Sequence, residues 1–156
     1  MTRAERLDCH SPLAAEPANS ASTGATSSDG EEQAASLREW DRVYEQMTPG
    51  RVVGGLHEMC FAGIQVFRES TNQAVHEAGA PWTGSRAIGV PVRMDGTARF
   101  RGEPVDVDAL VTLGAGDELD FYTPRGFEIF GLVVDEKALE AHARQALASI
   151  RRTPVP

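Results

Sequence analysis

The sequence predicts a mainly β domain, a sandwich or barrel, followed by one C-terminal helix and preceded by a disordered tail. Three observations predict it. From Gly50 onward, short runs rich in Val, Ile, Phe and Leu are punctuated by Gly, Pro, Asn and Asp roughly every eight to twelve residues, the rhythm of short strands joined by turns. After Val134 the spacing becomes helical, with Leu139, Ala143, Ala146, Leu147 and Ile150 on one stripe. Residues 1–36 hold 8 Ala and 6 Ser but no aromatic residue, too little apolar surface to offset the entropy of ordering.

Taken in order, residues 1–36 form the expected tail and 37–152 the expected domain, with the β part at about 51–135 and the helix at about 136–152. A helix somewhere within Glu31 to Glu45 would be carried by Leu37, Trp40, Val43 and Tyr44, and Pro49-Gly50 would end it. Strands are expected at about Arg51 to Phe61, Ile64 to Thr71, Arg86 to Met94, Ala98 to Arg101, Ala109 to Leu113, Glu118 to Thr123 and Phe127 to Asp135. Asp95-Gly96 reads as a two-residue hairpin turn, because both residue types tolerate positive φ, and Pro124-Arg125-Gly126 as a tight reversal. Asp135 can cap the final helix, and Arg151 and Arg152 suit its negative end.

Alternation predicts which way side chains face. If Glu118 and Asp120 face out, Leu119 and Phe121 face in; Ile88, Val90 and Val92 share one face, and Phe127, Ile129, Gly131 and Val133 another. Phe130, Leu132 and Val134 then lie on the second face of an entirely apolar strand, which needs a cover. The terminal helix is the expected cover, with a second subunit able to complete it.

With 15 Lys plus Arg against 23 Asp plus Glu, the net charge of −8 opposes direct nucleic-acid binding by this chain, since phosphate contacts supply most of that affinity. The tail holds 6 acidic and 2 basic residues, so half of the charge sits there. Two cysteines, Cys9 and Cys60, make no scaffold and no C-x-x-C pair, which favours a reducing, cytoplasmic setting. No segment has the pattern of a signal peptide or the length of a membrane span.

Gln46-Met47-Thr48-Pro49-Gly50-Arg51, the run from Gly63 to Asn72 and His76-Glu77-Ala78-Gly79-Ala80-Pro81 together resemble the N-terminal sensing domain of AraC-family transcriptional regulators, most of all the ethanolamine-operon regulators. Ile88-Gly89-Val90-Pro91, the run from Gly114 to Pro124 and Phe127 to Leu132 extend the resemblance over roughly Tyr44 to Ala143. It implies a cupin-like, jelly-roll-like β-barrel that binds a small effector or mediates dimerisation. It also implies that the DNA-binding half lies outside this sequence, so that regulation of transcription belongs to a complete regulator.

The expected chemistry is binding without catalysis. Cupin metal centres need histidines converging on one strand face, and no His-x-His occurs; on a strand, His57 points away from Glu58 and Cys60. No metal and no cofactor are therefore expected, and Cys60 reads as a small buried residue. Gly84-Ser85-Arg86 lacks a nucleophile-elbow pattern, and Gly114-Ala115-Gly116 lacks that of a dinucleotide loop. Asp117, Glu118 and Asp120 lack calcium-loop spacing, and Arg68, Arg86, Arg93, Arg99 and Arg101 read as solvated strand faces. His76 reads as bonded to nearby backbone or as a ligand contact, and Trp82 as closing a ligand site or capping the core edge. The candidate ligand contacts are His76, Trp82, Tyr122 and Gln65. Leu139, Ala143, Ala146, Leu147 and Ile150 are the candidate residues for helix packing or a homodimer. Two further readings stay open: a small free-standing cupin enzyme whose metal site the sequence does not reveal, and a purely structural dimerisation module.

Overall fold

The computed structural model describes residues 21–61 and 63–152. The elements run β1 (Ala21–Ser27), α1 (Gly30–Ser36), β2 (Asp41–Gln46), β3 (Gly54–Phe61), β4 (Ile64–Thr71), β5 (Val75–Ala80), β6 (Ser85–Arg93), β7 (Ala98–Phe100), β8 (Glu103–Val105), β9 (Val111–Leu113), β10 (Leu119–Thr123), β11 (Phe127–Asp135) and α2 (Glu136–Arg152). Every strand pair is antiparallel. The larger sheet has the order β1-β3-β4-β11-β6-β9 and the smaller β2-β5-β10-β7-β8. The two sheets are not closed into a barrel, which corrects that part of the expectation and leaves a two-sheet β architecture.

Alternation decides the core. Leu56, Phe67, Ala87, Phe127 and Val133 from the larger sheet meet Ala98, Val105, Leu119 and Phe121 from the smaller one. Phe100, Phe121 and Phe127 form a chain of edge-to-face contacts with centroids 5.7 and 5.5 Å apart. Gly131 lies opposite Phe67 on the neighbouring strand, and a Cβ there would come within 2.1 Å of that ring. The glycine thus makes room for the phenylalanine.

Several expectations change. Residues 1–20 lie outside the described residues, but 21–36, assigned to the tail, form β1 and α1. β1 pairs with β3 along an edge of the larger sheet, and Asp29 caps α1 by accepting from the Glu32 N–H at 2.7 Å. Ala34 and Leu37 anchor this segment, at 6% and 2% exposure. The helix expected within 31–45 ends at Ser36, and Trp40 to Glu45 lead into and form β2, because β2 gains a full ladder on β5. β5 is a strand that the expected set did not include. Asp95-Gly96 and Pro124-Arg125-Gly126 make no hairpins: each carries the chain from one sheet to the other, and the Asp95 N–H donates to the Arg125 carbonyl at 2.8 Å.

On β6 it is Ala87 and Pro91 that are buried, so Ile88, Val90 and Val92 lie on the outer face. There they join Phe130 and Leu132, which expose 47% and 37%. The helix α2 does start at Asp135, whose Oδ1 accepts from the Ala138 N–H at 2.9 Å, but it does not cover this face. Leu147 and Ile150 expose 59% and 70%, correcting the expectation of a docked helix.

Close backbone approach makes one glycine indispensable. Gly79 has φ of +143° and pairs with Arg42, and a Cβ on it would lie 1.9 Å from the Asp41 carbonyl oxygen. Gly102 also has positive φ but open space around it. We predict that Gly102→Ala costs about 1 kcal/mol, the strain of the left-handed region. Gly79→Ala should cost more than about 3 kcal/mol, with urea unfolding as the measurement for both.

Candidate functional site

Between the sheets lies a cavity of about 50 Å³, lined by Trp40, Phe67, Phe100, Phe121 and Ile129 and, at its polar margin, by Arg42, Glu69 and Glu77. Its volume is that of one or two water molecules, well below the roughly 300–1,000 Å³ of sites for drug-sized ligands.

The charged residues reach it by strand alternation. Arg42 and Tyr44 are two apart on β2 and share its inner face; Glu69 follows Phe67 inward on β4, and Glu77 follows Val75 inward on β5. The Arg42 guanidinium, 2% exposed, grips both oxygens of Glu69, with Nη1 to Oε2 at 2.8 Å and Nη2 to Oε1 at 3.1 Å. Glu69 Oε1 also accepts from the Tyr44 hydroxyl at 2.7 Å and from Gln33 Nε2 at 2.8 Å. Arg42 Nη1 donates to the Tyr44 oxygen at 2.8 Å, and its Nη2 to the Gln33 carbonyl at 3.3 Å. Glu77 Oε2 stands 3.6 Å from Arg42 Nη1, which already serves Glu69 and Tyr44, and Arg42 Nε is buried without a hydrogen-bond partner.

Burial and this crowding set the protonation states. Burial opposes the Arg42 charge, but the adjacent Glu69 carboxylate more than offsets it, and the pKa rises. Burial pushes the Tyr44 phenol well above its ordinary range. Burial, then repulsion from Glu69, raises Glu77 to about 8, against the opposing pull of Arg42. Its surroundings thus favour the neutral acid form of Glu77 over the carboxylate.

A second polar group orients the cavity wall. Gln65 is fully buried; its Oε1 accepts from the Trp40 indole at 2.9 Å, and its Nε2 donates to the Arg38 carbonyl at 2.9 Å and to Glu58. Trp40 then packs edge-to-face on Phe67, with centroids 6.1 Å apart. Gln65 therefore acts on the cavity through Trp40 and does not line it.

The other sequence candidates lie elsewhere. His76 and Tyr122 are register partners on the outer face of the smaller sheet, where His76 Nε2 is 2.7 Å from Asp120 Oδ1. Trp82, in the turn before β6, packs at the edge of the core, and its carbonyl accepts from Ser85 Oγ at 2.7 Å. The structure does not bring the four together. Cys60 is buried and disulfide-bonded, which corrects its reading as a plain buried thiol and removes the cysteine argument for a reducing setting; Cys9 lies outside the described residues. Among the described residues, no three His, Cys, Asp or Glu side chains group so as to hold a metal ion. Among them, too, no helix is long and apolar enough to cross a membrane.

Sequence reasoning passed over Arg42, Tyr44, Glu69 and Glu77. The available signal was an acidic residue at an inward position of an apolar strand, as in Phe67-Arg68-Glu69 and Val75-His76-Glu77.

No family model matches the chain. Among solved structures it is similar to that of the conserved protein of unknown function PA5104 from Pseudomonas aeruginosa PAO1, at 14% identity and a TM-score of 0.42. The match covers 62% of this chain and 59% of that one, so the chain spans less than two thirds of that protein's length.

Glu77 links stability to pH. The folded protein keeps a proton that the unfolded chain releases from about 4.5 upward, so stability falls as pH rises through the window from 4.5 to about 8 and levels off above it. Glu77→Gln copies the shape of the neutral acid and removes the decline. Urea unfolding should find the variant equal to the parent near pH 5 and more stable near pH 9, by on the order of a few kcal/mol.

Proposed function

We propose that this chain is a non-catalytic small-molecule binding domain of the kind AraC-type transcriptional regulators carry, cupin-like in layout, with the effector site in the cavity between the sheets. The observation that carries the reading is the ionisable cluster of Arg42, Glu69 and Glu77 set against an aromatic void. Burying charge among apolar side chains seldom adds stability over a well-packed apolar core, whereas perturbed groups at a cavity are characteristic of sites. An effector held there touches both sheets and shifts the population of their arrangements. Regulation of transcription, a cytoplasmic location and a DNA-binding half belong to the same proposal. In that reducing compartment the Cys60 disulfide would be open.

A second reading, homodimerisation, has its own support. The outer face of the larger sheet exposes Met59, Val66, Phe130 and Leu132, and α2 presents Leu139, Leu147 and Ile150 to solvent with Ala143 and Ala146 between them. On this reading truncation after Asp135 abolishes the dimer in sedimentation analysis and leaves the unfolding of the remaining domain nearly unchanged. An unchanged oligomeric state rejects it.

The binding reading is tested by thermal shift against a panel of metabolites. A ligand at about a hundred times its dissociation constant should add roughly 2.7 kcal/mol of stability. Val111→Phe, which fills the cavity wall, should erase that gain. A panel without any hit, or a hit indifferent to this substitution, removes the cavity from the proposal, and a stoichiometric transition metal in protein purified without chelators overturns its non-catalytic part.

A further inference from the structure

The outer face of the larger sheet carries a recess of its own, apart from the cavity between the sheets. Its volume is about 370 Å³, within the roughly 300–1,000 Å³ of small-molecule sites, and His57, Met59, Val66, Arg68 and Phe130 border it. Strand register builds it. His57, Arg68 and Phe130 stand in one row across β3, β4 and β11, and Met59, Val66 and Leu132 form the next. Met59, Val66, Phe130 and Leu132 expose between 37% and 47%, a continuous apolar floor. Glu58 and Phe67, which alternate with them, are turned inward and buried, Glu58 against Arg38 and Gln65. The charges along the rim do not balance. Arg68 and Arg93 share one carboxylate, Glu128, to which Arg68 Nε donates and which Arg93 Nε approaches at 3.7 Å. Arg86, at the other end, is paired with Glu136, and among the described residues β3, β4, β6 and β11 direct no other acid outward. One positive charge is left over, on a chain whose net charge is −8. Arg68, half-exposed and 5.7 Å over the Phe130 ring, holds it beside the apolar floor.

We propose that this outer face binds an amphipathic carboxylate, a carboxylate head on an unbranched alkyl body, with Arg68 receiving the head and Met59, Val66 and Leu132 the body. A guanidinium matches a carboxylate with two parallel hydrogen bonds, and with Nε engaged by Glu128 the terminal nitrogens of Arg68 are the side that meets the head. The row from Met59 to Leu132 crosses two strand spacings, about 10 Å, the reach of a medium-length chain. Burying the chain on half-exposed side chains supplies affinity, and the unbalanced charge selects the head. A second copy seated face to face on this surface would bring the excess charge against its own image, whereas a carboxylate neutralises it. The inference goes beyond the binding reading above, since it places a ligand on the outer face and asks nothing of the cavity.

Calorimetric titration of the full chain with octanoate, against octanol, octylammonium and acetate, tests this. Octanoate should bind about tenfold more tightly than octanol, the share of one charge-assisted contact, with octylammonium and acetate silent. Added salt should weaken octanoate several-fold and leave octanol unchanged, because the charge is open to solvent. Arg68→Gln should bring octanoate down to the level of octanol, and Glu128→Gln, which releases both guanidiniums, should tighten it about threefold. A gain in affinity cannot come from a damaged fold. Val111→Phe, in the wall of the inner cavity, should leave octanoate binding intact and so keeps the two sites apart. Octanol binding as tightly as octanoate, or octanoate unmoved by the substitutions at Arg68 and Glu128, overturns the proposal. So does loss of octanoate in Val111→Phe, which moves the ligand to the cavity, or silence from octanoate in the parent. Sedimentation at the same concentrations decides the other occupant: a dimer that Val66→Lys abolishes and octanoate leaves intact gives the face to a second copy and overturns the proposal as well.

Discussion

Arg42 is a full positive charge held between two sheets, and three separate pieces of chain are fastened to it. Its strand belongs to the smaller sheet, its carboxylate partner Glu69 to the larger one, and Gln33 on α1 both donates to that carboxylate and accepts from the guanidinium. Leaving such a carboxylate buried without its partner costs about 3–5 kcal/mol, a large part of a domain's stability. The pair also fixes what can happen around it: with Glu69 saturated by Arg42, Tyr44 and Gln33, Glu77 is left with the weaker 3.6 Å approach to Arg42 and its burial favours the protonated form. The attachment of α1, the join between the sheets and the chemistry of the cavity therefore share one origin.

The interior is filled by its own side chains. Phe67 lies over Gly131, and the Phe100, Phe121 and Phe127 rings stack edge to face across the middle. A lumen that a closed barrel of this size could keep open is occupied, and the residual space survives where the polar cluster resists apolar packing. Charge and void are found together because a carboxyl group without a full set of partners cannot be packed over by hydrocarbon without further cost.

Local pattern made some elements legible. β4 occupies the expected Ile64–Thr71, and α2 begins where Asp135 can cap it, since alternation and capping are encoded within a few residues. β5 was illegible for the opposite reason. Val75-His76-Glu77-Ala78-Gly79-Ala80 has weak strand propensity and is extended because β2 and β10 flank it on both sides. The same holds for β1, whose Ala, Ser, Thr and Gly residues follow the edge of β3. Asp95-Gly96 gave a correct turn and a wrong partner, because turn chemistry does not say which sheet receives the next strand. In the site, alternation alone places Glu69 and Glu77 inward, but acidic residues on strands read as solvated until both sheets are present. Arg42 sat in a stretch with helical spacing, which hid its inward position altogether.

The order of the larger sheet bears on how the chain folds. β11, the last strand to be synthesised, lies between β4 and β6, so both of those strands wait with unpaired backbone edges until residue 135 has emerged. Until then the β3–β4 hairpin and β6 present their apolar faces on either side of a missing centre. Assembly is consequently late, dominated by contacts between distant parts of the chain, and slow for a domain of this size. The interval before β11 inserts is when this protein is most exposed to aggregation, and when a chaperone would gain most by holding it.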